Sequence, residues 1–252
     1  MMMPALDSGT VAMLVGMLLT YCRVQACLLA LPVFSERFLP VRVRVALAMS
    51  ITPVLADYAT LVQQPGAASH LALLGGIEVL SGLALGGLVR LFAVALDVAA
   101  TAIAATASLS QLVGVATEYS PHPIGGILHL AGLALIMALG FPLLVCDMLR
   151  ESFLLLPLGG VPDVTRILPL AISLVQRGFV LAMVLAAPFI LGGFLYQLLS
   201  GMVSKVMPAL PVVFIAAPGA IFLALLALVL LAPSIVLIWA DAVLDVLQTD
   251  LP

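Results

Sequence analysis

The residue types that carry covalent or metal chemistry are few in this chain and poorly spaced for it. His70, His122 and His129 form no H-x₃-H or HExxH pair. Cysteine metal sites show close pairs such as C-x₂-C, whereas Cys22 and Cys27 lie five apart with no histidine nearby and Cys146 stands in another apolar run. Free cysteines in such runs behave as small hydrophobes. No serine has a G-x-S-x-G setting. Asp97 and Asp147 are the pair an intramembrane aspartyl protease would need, but no motif surrounds them. The residues therefore point away from catalysis, and no cofactor is expected.

What remains is a handful of charges and turn-formers in an apolar chain. Glu78, Gly82, Gly86 and Arg90 follow i, i+4 steps and form one row on a helix. The two glycines admit another helix closely, the small-xxx-small logic of membrane packing. Glu78 and Arg90 stand about 18 Å apart along that helix, so each needs a partner on another element or water. One reading is a polar subunit contact or an aqueous path; the other is a pair of charges near helix ends. Asp97 follows in an almost all-small segment, 96–115, which reads as an inner helix. The stretch 107–126 carries Gln111, Glu118, Tyr119 and His122; Pro121 and Pro123 are expected to forbid regular helix, and Gly125 and Gly126 to permit unusual backbone angles. It is a working loop or a plain connection. The same alternatives hold for 148–169, with turn signals at Pro157, Gly159, Gly160 and Pro162.

These residues sit in a chain of 252 residues that is 64% apolar and 8% charged. Soluble domains are about 45–50% apolar and about 25% charged, so most of this chain faces lipid or other apolar subunits. A net charge of −3 gives no sign of nucleic-acid binding. No cleavable leader is expected, because the start lacks a basic region and Arg23 interrupts the first apolar run. A spanning helix needs about 20 apolar residues. Seven apolar segments qualify, near 11–34, 44–62, 71–93, 95–116, 126–147, 167–199 and 211–240. The last two are long for one span, with kinks or breaks expected at Pro188, Gly192 and Gly193 and at Pro218 and Pro233. The expected fold class is all-α and polytopic, built of helical hairpins with broken helices. Short loops rich in Lys and Arg stay on the cytoplasmic side, which places Arg37, Arg42, Arg44, Arg90, Arg150 and Arg166 inside and leaves Lys205 as the exception.

Several stretches, in order, resemble the FliR-type export-gate family of bacterial flagella and its virulence type III secretion relatives. They are PVFSER (32–37) with PVRVR (40–44), Glu78 with the run from Leu80 to Gly86, Ser152–Phe153 with LPLG (156–159), and GMVSKVMPALPVVFIAAP (201–218). Pro211, Lys205, Val213 and Ala216 depart from the family's usual residues in the last stretch. The resemblance implies a single integral-membrane domain, with a FliP-like part over about 1–147 and a FliQ-like hairpin part over about 148–252. It implies a structural and gating role in the inner-membrane export channel, without enzymatic activity. The implied partners are FliP- and FliQ-type gate subunits, FlhB- and FlhA-type export components, and unfolded secreted flagellar proteins. By the same resemblance a plug loop spans 108–125, comprising Ser108, Leu109, Ser110, Gln111, Gly114, Glu118, Tyr119, Pro121, His122, Pro123 and Gly125. Subunit contacts would involve Arg37, Arg42, Arg44, Glu78, Gly82, Gly86, Arg90, Asp97, Ser152, Phe153 and Lys205. A self-contained small-molecule transporter is the rival reading; it would favour an inverted repeat, and none stands out.

Overall fold

The computed structural model describes residues 8–56, 68–107, 123–206 and 212–249. The elements among them are all helical: α1 (Ser8–Ala30), α2 (Val41–Ala56), α3 (Ala68–Ala93), α4 (Ala95–Ala107), α5 (Pro123–Ala138), α6 (Phe141–Leu155), α7 (Val164–Val206) and α8 (Val212–Thr249). Among the described residues four stretches of helix are long and apolar enough to cross a membrane, or five if the broken pair α5–α6 counts as one span. The chain is a polytopic membrane protein.

The backbone divides into two compact units. One comprises Met1–Phe92, Leu139–Val175 and Val243–Pro252; the other Ala93–Ala138 and Gln176–Ala242. In the first, α1 buries Leu19, Thr20, Arg23, Val24 and Cys27, the i, i+3, i+4 spacing of one helix face. It packs on α2, and α2 touches α6. Helix α6 buries Phe141, Val145, Met148, Leu149, Ser152 and Phe153 on a similar stripe.

In the second unit, α4 packs on α5, burying Ala95, Leu96, Ala99, Ala100, Ile103 and Ala104. The expected inner helix of small residues is thus a face packed against protein of its own chain. Trp239 is buried here, and its indole N–H donates to the Ala93 carbonyl at 3.1 Å. The one-residue break between α3 and α4 frees that carbonyl, and a buried carbonyl needs a donor.

Two segments expected to kink or break carry no break in their helices, and part of one expected loop is helix. Helix α7 runs unbroken through Pro188, Gly192 and Gly193, and α8 through Pro218 and Pro233; a membrane helix tolerates proline where neighbouring groups satisfy the freed backbone. The break falls instead inside the fifth apolar segment. Gly140, at φ 94°, caps α6, and Pro142 occupies its first turn, where a missing N–H costs nothing. Pro123 opens α5, and Gly125 and Gly126 are regular helix within it.

Candidate functional site

The principal polar site is built on α1, α3 and the end of α6, all in the first unit. Gly82 and Gly86 bring α3 onto α1. A Cβ on Gly86 would stand 2.5 Å from the Cys27 carbonyl oxygen, and one on Gly82 would meet the Arg23 carbonyl and stand 2.9 Å from the Ala26 Cβ. Gly75, Gly76 and Gly87, off that line, face nothing within 4 Å. The close approach sets Arg23 of α1 beside Glu78 of α3, both fully buried. Arg23 Nε lies 2.6 Å from Glu78 Oε2.

The remaining valences of the pair reach the chain after α6. Arg23 Nη1 donates to the carbonyls of Ser152 (3.0 Å) and Leu156 (2.9 Å). These are carbonyls of the last turn and the C-cap of α6, the end that carries the negative pole of the helix dipole and attracts a cation. The guanidinium also lies 4.3 Å from the centroid of the Phe153 ring, within cation–π range. Glu78 Oε1 accepts the Gly159 N–H at 2.7 Å. Gly159 sits at φ 81°, a conformation glycine adopts without the Cβ penalty. The Ser152–Phe153…LPLG stretch therefore closes over a buried ion pair. One donor, Arg23 Nη2, is buried without a protein partner among the described residues.

Arg90 does not approach Glu78; its Nη1 donates to Ser35 Oγ at 2.7 Å. Arg44 Nη2 donates to the Glu36 carbonyl, and Phe34 stacks on Phe141 with centroids 6.3 Å apart. Helix α6 thus starts beside the first loop and ends beside Arg23, so Arg150 lies on a helix leading away from the arginines of that loop. Arg37 and Arg42 are exposed, as is Lys205 near the end of α7.

In the second unit Asp97 Oδ1 lies 2.6 Å from His129 Nδ1. This half-exposed pair joins α4 to α5, a partnership the 32-residue separation hid. Of the expected plug residues, Ser108, Leu109, Ser110, Gln111, Gly114, Glu118, Tyr119, Pro121 and His122 lie outside the described residues, and Pro123 and Gly125 belong to α5. Among the described residues no group of three or more His, Cys, Asp or Glu side chains has a metal-holding arrangement.

Arg23 was legible in the sequence as a charge interrupting an apolar run. Its partner was not, because the two are 55 residues apart. The available signal was two opposite charges inside the first and third apolar segments, each expensive without a partner.

Comparison with known proteins identifies the family of the chain. The family described as bacterial export proteins, family 1, matches residues 14–246. A flagellar biosynthetic protein FliR from Caulobacter vibrioides is 30% identical over 235 residues, covering 91% of this chain and 93% of that protein. Since the match runs from within α1 to within α8 and so spans nearly the whole chain, the chain belongs to the bacterial export proteins, family 1, the FliR family.

Proposed function

We propose that this chain is a structural and gating subunit of the flagellar type III protein-export channel, in the bacterial inner membrane at the flagellar basal body. The observation that carries the reading is near full-length similarity to a protein named for flagellar biosynthesis. Physical support comes from α7 and α8. With 43 and 38 residues they extend about 65 and 57 Å at 1.5 Å per residue, against a hydrocarbon core of about 30 Å. Both expose large apolar side chains along their length, from Leu168 to Val206 and from Phe222 to Ile238. Lipid covers only part of such helices, and other apolar subunits cover the rest.

On this reading the partners are FliP- and FliQ-type gate subunits, which the FliP-like part (about 1–147) and the FliQ-like part (about 148–252) of this chain join. FlhB- and FlhA-type components meet it from the cytoplasmic side, and unfolded flagellar proteins pass through. The segment 108–125 serves as the plug. Lys205 and the exposed faces of α7 and α8 supply subunit contacts. The mechanism needs no covalent chemistry: helices hold the channel wall and a loop obstructs it until displaced.

The test is deletion of the gene in its own host, with a tagged copy restored and recovered from detergent-solubilised membranes. Loss of flagellar filaments, their restoration, and co-recovery of FliP- and FliQ-like proteins are the expected result. Intact filaments with recovery of virulence-type secretion components would move the chain to that branch. Recovery alone as a stable monomer or homo-oligomer would favour a transporter.

A further inference from the structure

The loop between α1 and α2 has a buried half and a bare half. Leu31, Val33 and Phe34 are buried. Val33 holds φ at 69°, a conformation that a β-branched residue adopts only under constraint from its surroundings. The Ser35 N–H donates to Leu31 O at 3.0 Å and the Leu39 N–H to Glu36 O at 3.2 Å. With Arg90 on Ser35 and Arg44 on the Glu36 carbonyl, the backbone is fixed from two other helices. Two arginines thus shape the loop.

The other two do not. Arg37 and Arg42 are exposed and make no hydrogen bond or ion pair among the described residues. Between them Phe38 is 58% and Val41 65% exposed. Over residues 31–44 the sequence carries three arginines, Arg37, Arg42 and Arg44, and a single acid, Glu36. A rigid elbow therefore presents two unpaired guanidinium groups flanking an aromatic ring and an aliphatic side chain.

Its depth follows from the helices that end there. The α1 span runs Gly9–Ala30, a rise of about 32 Å. Helix α3 carries Arg90 in its last turn, again about 33 Å of rise from its start at Ala68, and the apolar stretch continues through α4 to Ala105. Each rise is one hydrocarbon thickness, so the elbow lies at headgroup level. We propose that the Arg37–Phe38 and Val41–Arg42 elbow is a binding surface for anionic phospholipid headgroups, with phosphate oxygens on the two guanidinium groups and Phe38 and Val41 in the glycerol and upper acyl region. An acidic protein surface would answer the arginines and leave Phe38 and Val41 against polar groups; a phospholipid answers all four. The proposal requires a bilayer around this unit and does not depend on the gating role.

The test replaces Phe38 with tryptophan (Phe38→Trp) in the full chain with its co-purifying subunits. The preparation is reconstituted in phosphatidylcholine vesicles containing phosphatidylglycerol, with brominated acyl chains on one lipid or the other. The buried Trp239, 1% exposed, provides a constant background. Brominated phosphatidylglycerol should quench the fluorescence of the introduced indole more than brominated phosphatidylcholine at equal mole fraction. That preference should fall roughly fivefold for each of Arg37→Gln and Arg42→Gln and survive Arg166→Gln, which removes an 89% exposed positive charge elsewhere. Equal quenching by the two lipids would overturn the proposal, as would an equal loss with Arg166→Gln. Absence of quenching by either lipid would also overturn it and would mean that protein covers Phe38.

Discussion

At the scale of single residues, the buried Arg23–Glu78 pair is the feature with most at stake. Removing one member of a buried ion pair strands the other, at a cost of about 3–5 kcal/mol, whereas replacing both with apolar residues of similar volume is often neutral. Arg23→Met or Glu78→Leu alone should therefore lower the thermal midpoint of the detergent-solubilised protein sharply. The double replacement should recover most of the loss in the same melt. A double variant as unstable as the worse single one would show that the pair's contacts to the Ser152 and Leu156 carbonyls and the Gly159 N–H outweigh the pairing itself. The sequence showed that Glu78 and Arg90 could not meet and that each required another partner. It did not show which, because α1 and α3 are brought together by glycine contacts and not by proximity in the chain.

At the scale of elements, the α1–α3 approach and the start of α7 give two expectations. A Cβ at Gly82 runs into backbone of α1, which cannot move as a side-chain end can, and overpacking of this kind costs about 1–3 kcal/mol. Gly82→Ala should destabilise by about that amount, while Gly87→Ala, on the open side of the same helix, should be neutral or slightly stabilising; paired thermal melts compare them. Asp163 caps α7, its Oδ1 accepting from the Thr165 N–H at 2.9 Å and hydroxyl at 2.6 Å. The Thr165 hydroxyl, then its N–H, holds the Asp163 carboxyl below the usual carboxylate value of 3.8. A depressed value in the folded state means the cap stabilises above the unfolded value and fades as pH falls through the folded one. Hydrogen exchange at the first turn of α7, corrected for intrinsic rates, should show protection at neutral pH that is lost only below about 3.8. Asp163→Ala should show the unprotected rate at every pH.

At the scale of the whole molecule, the prediction concerns the proposed plug. Deleting Val113 to His122 should leave assembly with the other gate subunits intact and make the closed channel leak ions. Membrane conductance of cells carrying the deletion measures this, with co-purification as the control for assembly. Unchanged conductance in an assembled complex would remove the plug assignment. Molecular scale also bears on why α7 and α8 stay helical through their prolines: in a membrane the freed backbone groups are satisfied by neighbouring helices, side chains and local adjustment of the helix. The Gly140–Phe141–Pro142 run, by contrast, breaks a segment read as continuous, with a left-handed glycine ahead of a first-turn proline.

Composition and local spacing determined the class of this protein. Sixty-four per cent apolar residues in membrane-length runs admit few solvents other than lipid and like subunits, and the i, i+4 row of Glu78, Gly82, Gly86 and Arg90 already implied a close, polar helix contact. Tertiary structure alone decided the partners: Arg23 with Glu78, Arg90 with Ser35, Asp97 with His129, Trp239 with the freed carbonyl of Ala93. Periodicity depends only on neighbours along one helix, so it is written in the sequence. A pairing between helices depends on which faces come together, and a lone charge in an apolar run announces only that some partner exists.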